Sequence, residues 1–545
     1  MHVNPLTLIL PLVSVNIVAA AEKEMKKLNI LCIVCEDISP FLGCYGDKLA
    51  NTPNLDKLAQ ESIRYTHMYT TVGVSAPSRA ALITGMYPTS IGANQMRNYG
   101  PEAPQKYFPK GISSYEVVLP DGVKCFTEFL REKGYYCTNN AKTDYQFAPP
   151  LTAWDECGKS AHWKNKPVGM PFFSIFNIET THESQIWKRA GNSFVVNPTD
   201  VILPPYFPDD PVVRKDMAIL YSNIHEMDKQ VQFMIDQIKA AGLLDSTIII
   251  FYSDNGGPMP RGKRAVYESG TLVPFMVRFP DGFRKGEVDQ SLVSFVDVAP
   301  TLLSLANIKP PRYIQGKAFL GRFYNKSDRK YVFGASDRFD EAIDKIGYVR
   351  DCKFRYIKNY MPEMPGYLPI EFRLQMPMMR RMTELLAKDS LNEIQKSWFK
   401  SPKVAEEFYN VENDPHEINN LINNPAYKNE ISRLRKAYKK WDDQYNHRYP
   451  TAWDMTEKQC QEVFWPNNEQ PVLCKPVIRK TIKGVEVSSK DKSVSFSYQI
   501  NAKGYTENTW YLYSGPISLN KNDELTVVAV KAGCKNSCVV SLRMN

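Results

Sequence analysis

The stretch Leu28-Asn29-Ile30-Leu31-Cys32-Ile33-Val34-Cys35 restricts the fold more than any other. A nearly continuous apolar run of strand length suits a central strand of a sheet that is covered on both faces. Phe172–Ile178 and the Ile-rich Thr247–Tyr252 read as further strands. Residues 213–241 carry Met217, Leu220, Ile224, Met227, Val231, Met234 and Ile238 at helical spacing, a packing stripe closed by Gly242. Ligand sites in open α/β sheets lie at the C-terminal edge of the strands. The first run ends directly in Glu36-Asp37, and Thr247–Tyr252 ends in Ser253-Asp254-Asn255-Gly256-Gly257. Each turn taken alone is usually structural. Together, Glu36, Asp37, Asp254 and Asn255 offer a hard oxygen-ligand cation site.

The 545 residues suffice for two to four domains. A net charge of +9 suits anionic ligands, but Lys and Arg are spread along the chain, without the concentrated basic arm of a nucleic-acid binder. The apolar run Leu6–Ala21, broken by Pro11 and Asn16 and ending in Ala19-Ala20-Ala21, reads as a cleaved signal peptide, 1–21, of a periplasmic or secreted protein. No later segment approaches a membrane span. Of eleven cysteines, Cys32 and Cys35 are expected as buried thiols on opposite pleat faces. Cys460 with Cys474, and Cys534 with Cys538, are the disulfides expected of an exported chain.

Ser75-Ala76-Pro77-Ser78-Arg79-Ala80-Ala81-Leu82-Ile83-Thr84-Gly85 places a serine near a helix N-terminus, where free N–H groups favour an anion. In isolation it reads as an N-cap. The string resembles the signature of type I sulfatases, [CS]-x-P-x-R, and Gly43-Cys44-Tyr45-Gly46 with Asn51–Ala59 resembles their N-terminal order. The resemblance covers roughly residues 28–445. It implies an α/β, alkaline-phosphatase-like mixed sheet flanked by helices, and oxidation of Ser75 to formylglycine by a radical sulfatase-maturing enzyme. It also implies one Ca²⁺ on Glu36, Asp37, Asp254 and Asn255, and a sulfated saccharide as substrate. Arg79, Lys142 and Lys263 match the sulfate-binding cations, with Arg264 a rival to Lys263. His182 matches the histidine at the scissile bridge atom. In Asn139-Asn140-Ala141-Lys142-Thr143-Asp144 the family usually carries G-K-x-H, so Asp144 stands where histidine is expected.

Three places look most like the sulfamidase (heparan N-sulfatase) branch: Leu203–Asp210, the Asp254-to-Lys263 spacing, and Arg338-Phe339-Asp340-Glu341. Asp144, Arg264, Arg338, Asp340 and Glu341 are therefore expected around the substrate, N-sulfoglucosamine or a 6-O- or 3-O-sulfated hexosamine. The charge cluster Ser336–Glu341 reads equally as a solvated loop. Expected divisions are an α/β unit over 22–324, an antiparallel α+β subdomain over 325–450 and a small β-sandwich over 475–545, resembling hexosaminidase appendages. The rivals are a two-metal phosphodiesterase or phosphonate hydrolase of the same scaffold, and an inactive polyanion-binding protein. The first needs more histidine ligands than this chain offers near its strand ends.

Overall fold

In the computed structural model, residues 27–99, 105–108, 110–327, 329–447 and 455–545 are described. The expected signal segment, 1–21, lies outside them. Strand β1 (Asn29–Cys35) is buried along its whole length, as its apolar run requires. It lies in a nine-stranded sheet with β2 (Ile63–Tyr69), β3 (Tyr136–Asn140), β4 (Glu156–Cys157), β5 (Phe172–Ile178), β6 (Thr247–Ser253), β7 (Leu272–Arg278), β8 (Val288–Asp289) and β9 (Val293–Ser294). The order is β4-β3-β5-β1-β6-β7-β2-β8, with β9 also on β2. β1 pairs in parallel with β5 and β6, whereas β7 runs antiparallel to β6 and β2, so the sheet is mixed.

Alternate residues of β1 feed two cores. Ile30, Cys32 and Val34 pack with Ile83, Phe126 and Leu302 on one face. Leu31, Ile33 and Cys35 pack on the other with Met217, Ile224 and Val231 of the helix Pro211–Ala240. That helix starts where Asp210 Oδ1 accepts the Val212 N–H at 2.9 Å, with proline in its first turn.

A second sheet, β10 (Val332–Phe339), β11 (Ala342–Arg350), β12 (Phe354–Asn359) and β13 (Glu406–Asn410), is antiparallel and consecutive. The helix Lys428–Trp441 covers it through Ile431, Leu434, Tyr438 and Trp441. Residues 336–341 are not a solvated loop. Ser336 to Arg338 is an irregular step in β10, Asp340-Glu341 is the hairpin turn, and Arg338 and Asp340 are buried.

Toward the C-terminus, the hairpin β14 (Val477–Thr481) and β15 (Gly484–Ser488) faces a sheet of β16 (Ser495–Ile500), β17 (Tyr511–Leu512), β18 (Glu524–Val530) and β19 (Val540–Arg543). Val485, Val487, Ile517, Leu525 and Val527 form the core between them. Ser495 Oγ donates to Glu128 Oε2 (2.6 Å), Arg131 Nη2 donates to the Trp510 carbonyl (2.5 Å), and Ala532 joins the main core.

The expected disulfides are absent: all eleven cysteines are free thiols. Cys460 is buried in the main core on the helix Glu457–Phe464 while Cys474 is exposed, so that pair does not meet. No helix of the described residues is long and apolar enough to cross a membrane.

Candidate active site

The C-terminal ends of β1, β3, β5 and β6 deliver Glu36-Asp37, Lys142, His182-Glu183 and Asp254-Asn255 to one edge of the large sheet. The chain leaving β2 brings Ser75 to the same place. Ser75 is the first residue of the helix Ser75–Thr84 rather than its cap; the N-cap is Val74, which has no capping side chain. The Ser75 hydroxyl faces the strand ends, 3.1 Å from Asn255 Oδ1 and 3.4 Å from Glu36 Oε2. Arg79, one turn along the same helix face, reaches Asp254 Oδ2 through Nε (2.9 Å) and Asn177 Oδ1 through Nη1 (2.6 Å), and its Nη2 donates to Glu36 Oε1.

Glu36, Asp37 and Asp254 are each fully buried, and one oxygen from each lies within 4.8 Å of the others. Burial raises the pKa of all three. The Lys142 ammonium and Arg79 guanidinium outweigh this for Glu36 and hold it well below the carboxylate range. Asp254 is pushed up to about 6 by burial and by the Glu36 charge, and Asp37 is raised by burial. Three crowded carboxylates, two of them (Asp37 and Asp254) resisting ionisation, are the donor set that a hard divalent cation relieves, and Asn255 adds a neutral oxygen. The residues fit one such ion.

The cations interleave with these carboxylates. Lys142 Nζ lies 2.6 Å from Glu36 Oε2 and 3.4 Å from Asp144 Oδ2, at the half-exposed rim. Lys263 Nζ lies 2.7 Å from Asp37 Oδ2 and 3.2 Å from Glu183 Oε1. His182 Nε2 stands 4.0 Å from Asp37 Oδ2. Its Nδ1 accepts the Ser184 backbone N–H at 3.2 Å, so the neutral ring carries its proton on Nε2, facing the cluster. Burial, then Lys263 and Lys142, hold the imidazole pKa well below its ordinary value.

Behind Lys263, Arg264 makes two 2.8 Å bonds to Glu183 and reaches Asp340 Oδ2 at 3.4 Å. Asp340 also pairs with Arg97. Arg338 does not face this space. Its Nη2 meets Glu457 Oε1 at 2.6 Å, its Nε also donates to Glu457, and its Nη1 donates to the Asp340 carbonyl. Glu341 turns away to accept the Glu371 N–H at 2.6 Å. Asp37, Asp144, Arg264 and Asp340 all hold positive φ, 50 to 71°, backbone that non-glycine residues adopt at a cost.

Sequence reasoning missed Glu183, Asn177, Arg97 and Glu457. Glu183 carried a signal, since it follows His182 directly at a strand end. Asn177, a polar residue in an otherwise apolar strand, carried another. Glu457 lies 119 residues from Arg338 and carried none.

A family model described as sulfatase matches residues 28–308, and one described as N-sulphoglucosamine sulphohydrolase, C-terminal, matches 261–360. The chain is 40% identical to an ulvan-active sulfatase of Formosa agariphila, over 95% of this chain and 92% of that one. It is 24% identical to the N-sulphoglucosamine sulphohydrolase of Homo sapiens, over 76% of this chain and 89% of that one. Among solved structures, one in complex with its substrate D-glucosamine-2-N,6-O-disulfate shares the fold. Its TM-score is 0.55 at 16% identity, over 78% of this chain and 99% of that one.

Proposed function

This chain belongs to the sulfatase family, and from that premise we propose that it hydrolyses sulfate from a sulfated glycan through a formylglycine made from Ser75. The carrying observation is the Ser75 hydroxyl, 3.1 Å from Asn255 Oδ1 and 3.4 Å from Glu36 Oε2, against two of the four residues that would hold a Ca²⁺ ion. A radical maturase takes two electrons and two protons from the serine CH₂OH to leave the aldehyde, whose hydrate supplies the nucleophilic hydroxyl. The cation, on Glu36, Asp37, Asp254 and Asn255, supplies Lewis-acid polarisation of a sulfate oxygen.

The chain's own residues do the remaining work. Lys142 and Lys263 flank the cluster and present N–H donors to the sulfate oxygens, while Arg79 fixes Glu36 and Asp254 from below. The open N-terminus of the Ser75 helix adds its dipole toward an anion. His182 offers its Nε2 proton to the leaving atom once the ring has taken up a second proton on Nδ1, 2.9 Å from the Ser184 hydroxyl that can accept it, a role worth about 10²–10⁴-fold. An arriving sulfate anion near the ring counters Lys263 and Lys142 and favours the protonated imidazole. Asp144, paired with Lys142, occupies the rim where the family's histidine stands.

Ulvan is the first substrate to test, because the relative named for it aligns over nearly the whole chain. N-sulfoglucosamine is the second. The match to the sulphohydrolase C-terminal model spans Lys263, Arg264, Arg338 and Asp340, the wall beside the site. We assign the N-terminal run to export, 22–324 to the catalytic unit, 325–450 to its subdomain and 475–545 to an appended unit. Mass spectrometry of the residue-75 peptide, from protein produced with a radical maturase, tests the reading. A loss of two hydrogens is expected; unmodified serine in active enzyme overturns it.

A further inference from the structure

Charge is unevenly distributed along the chain. Residues 475–545 hold eleven Lys and Arg against five Asp and Glu, a net +6 of the chain's +9. The rest of the chain is close to balance, fifty-seven against fifty-four. An ordinary solvated face interleaves both signs. This unit does not.

Part of this unit is already engaged with the rest of the chain. Ser495, the Trp510 carbonyl and Ala532 hold the unit to the large sheet, and Lys531 is tied to Asp121 at 2.9 Å. The hairpin β14–β15 carries Arg479, Lys480 and Lys483, all exposed. Glu486 stands opposite Arg479 in the register without pairing with it. Next to the hairpin in sequence, three chain segments cross. The Cys474 N–H donates to Asp491 Oδ2 at 2.5 Å, and Lys535 exchanges backbone bonds with Pro471 (2.8 Å) and Leu473 (3.2 Å). The crossing gathers Lys475, Lys490, Lys492 and Lys535, all exposed, and its two acidic neighbours are already engaged, Asp491 by the Cys474 amide and Glu116 by Gln470 and the Ala148 N–H. None of these seven side chains makes a hydrogen bond or ion pair with a described residue.

We propose that the crossing and the adjoining hairpin of the C-terminal unit form a second binding surface for the sulfated polysaccharide, holding the polymer by its sulfates while another sulfate occupies the Ser75 site. The proposal rests on the sulfatase reading of that site. Several exposed cations without acidic partners bind a polyanion by releasing its counterions, and the attraction falls steeply with salt. Holding one polymer at two places converts the second encounter into an intramolecular one, which raises local substrate concentration without changing the chemistry. A lipid surface fits less well. The hairpin tip exposes Ile482 but no apolar face of the size that membrane insertion uses.

The test compares full-length, matured enzyme with two variants, K475Q/K490Q/K492Q/K535Q and R479Q/K480Q/K483Q. Both change only exposed side chains, and an unchanged melting temperature in either gives a usable comparison. Binding to ulvan, dextran sulfate and uncharged dextran is measured at about 50 and about 300 mM salt, beside anionic lipid vesicles. The expected result is polymer affinity about tenfold or more weaker at low salt, with KM on polymer raised and kcat kept. Turnover of a small aryl sulfate stays within about twofold, because none of these seven side chains bonds to a residue of the Ser75 cluster. Uncharged dextran does not bind. Polymer affinity unchanged in folded variants overturns the proposal, as does vesicle binding without polymer binding. Polymer binding that depends on these residues, with no sulfated saccharide turned over, keeps the surface and sinks the Ser75 reading. Turnover of polymer indifferent to both variants does the reverse.

Discussion

Replacing Glu183 with Gln tests whether the cations beside Ser75 are held by this one buried carboxylate. Glu183 and Arg264 are each 1% exposed and share two 2.8 Å bonds, with Lys263 a further 3.2 Å away. No solvent replaces the lost charge, and removing one partner of such a pair costs about 3–5 kcal/mol. Gln keeps the volume and one acceptor, so the lower end applies, about 3 kcal/mol. That corresponds to a fall in Tm of roughly 3 °C for a protein of this size. Thermal unfolding reads it, in a cycle with Arg264→Met. The double variant should recover part of the loss, with a coupling of about 2 kcal/mol or more, because two neutral side chains leave no stranded charge. Burial pushes the Glu183 carboxyl up, yet Arg264 and Lys263 hold it well below its ordinary range. A carboxyl depressed in this way stabilises the fold above its unfolded value, about 4.3, and stops doing so as pH falls through the folded value. The gap between wild type and E183Q is therefore constant through neutrality and narrows only in acid below about pH 4.3. A variant within about 1 kcal/mol of wild type, or strict additivity in the cycle, would refute the reasoning.

Ser75→Ala should abolish turnover and leave Tm nearly unchanged; activity within a few-fold of wild type rules out formylglycine chemistry. Ser75→Cys should regain activity when produced with a maturase that accepts thiols, and peptide mass shows whether it was converted. His182→Ala should cost about 10²–10⁴-fold on a sugar sulfate and far less on an activated aryl sulfate, whose leaving group hardly needs a proton. Equal losses on both remove His182 from the acid role. Glu457→Gln strips Arg338 of its carboxylate partner, and should raise KM for the saccharide about tenfold through the displaced Asp340 turn. Glu457→Asp should restore part of it, and aryl sulfate turnover should be indifferent.

The parts of the site legible in the sequence were those where strand pattern and polar punctuation coincide. β1, β5 and β6 are apolar runs that end abruptly in Glu36-Asp37, Glu179–Glu183 and Asp254-Asn255, so each strand end marked a polar turn, although at the end of β5 only His182 was singled out and Glu183 was passed over. The hairpin Val332–Arg350 was harder to read, because Asp337, Arg338, Asp340 and Glu341 look like solvent-facing charge. Burial of Arg338 and Asp340 depends on Glu457, Arg264 and Arg97, partners that no local pattern reveals. The same limit hid β14, whose Val-Ile-Arg-Lys-Thr alternates weakly and packs one face on a core built from β15 and β18. The disulfides failed for a related reason. Spacing in sequence says nothing of depth, and Cys460 sits in the main core while Cys474 sits at the surface.

On the proposed reading, Lys142 and Lys263 connect the cation to the substrate. In this structure each ammonium is already engaged, Lys142 with Glu36 at 2.6 Å and Lys263 with Asp37 at 2.7 Å. A divalent cation held by Glu36 and Asp37 competes with both ammonium groups for the same carboxylate lone pairs. Each donor released from a carboxylate is a donor available to sulfate, so cation and sulfate should bind with positive coupling. Such couplings run to about 1–3 kcal/mol, or about 5–150-fold in affinity, and are reciprocal. Inorganic sulfate titrated into Ser75→Ala protein should therefore bind at least about fivefold more tightly with Ca²⁺ than after chelation. Chelation alone should lower Tm, since the ion stabilises only the state that contains its site. Direct attraction between cation and anion predicts the same sign, so Lys142→Met separates the two accounts. If released lysines carry the coupling, that variant loses part of it along with sulfate affinity. If it keeps the full coupling, the ammonium groups were never held back by Glu36 and Asp37, and the exchange of partners is wrong.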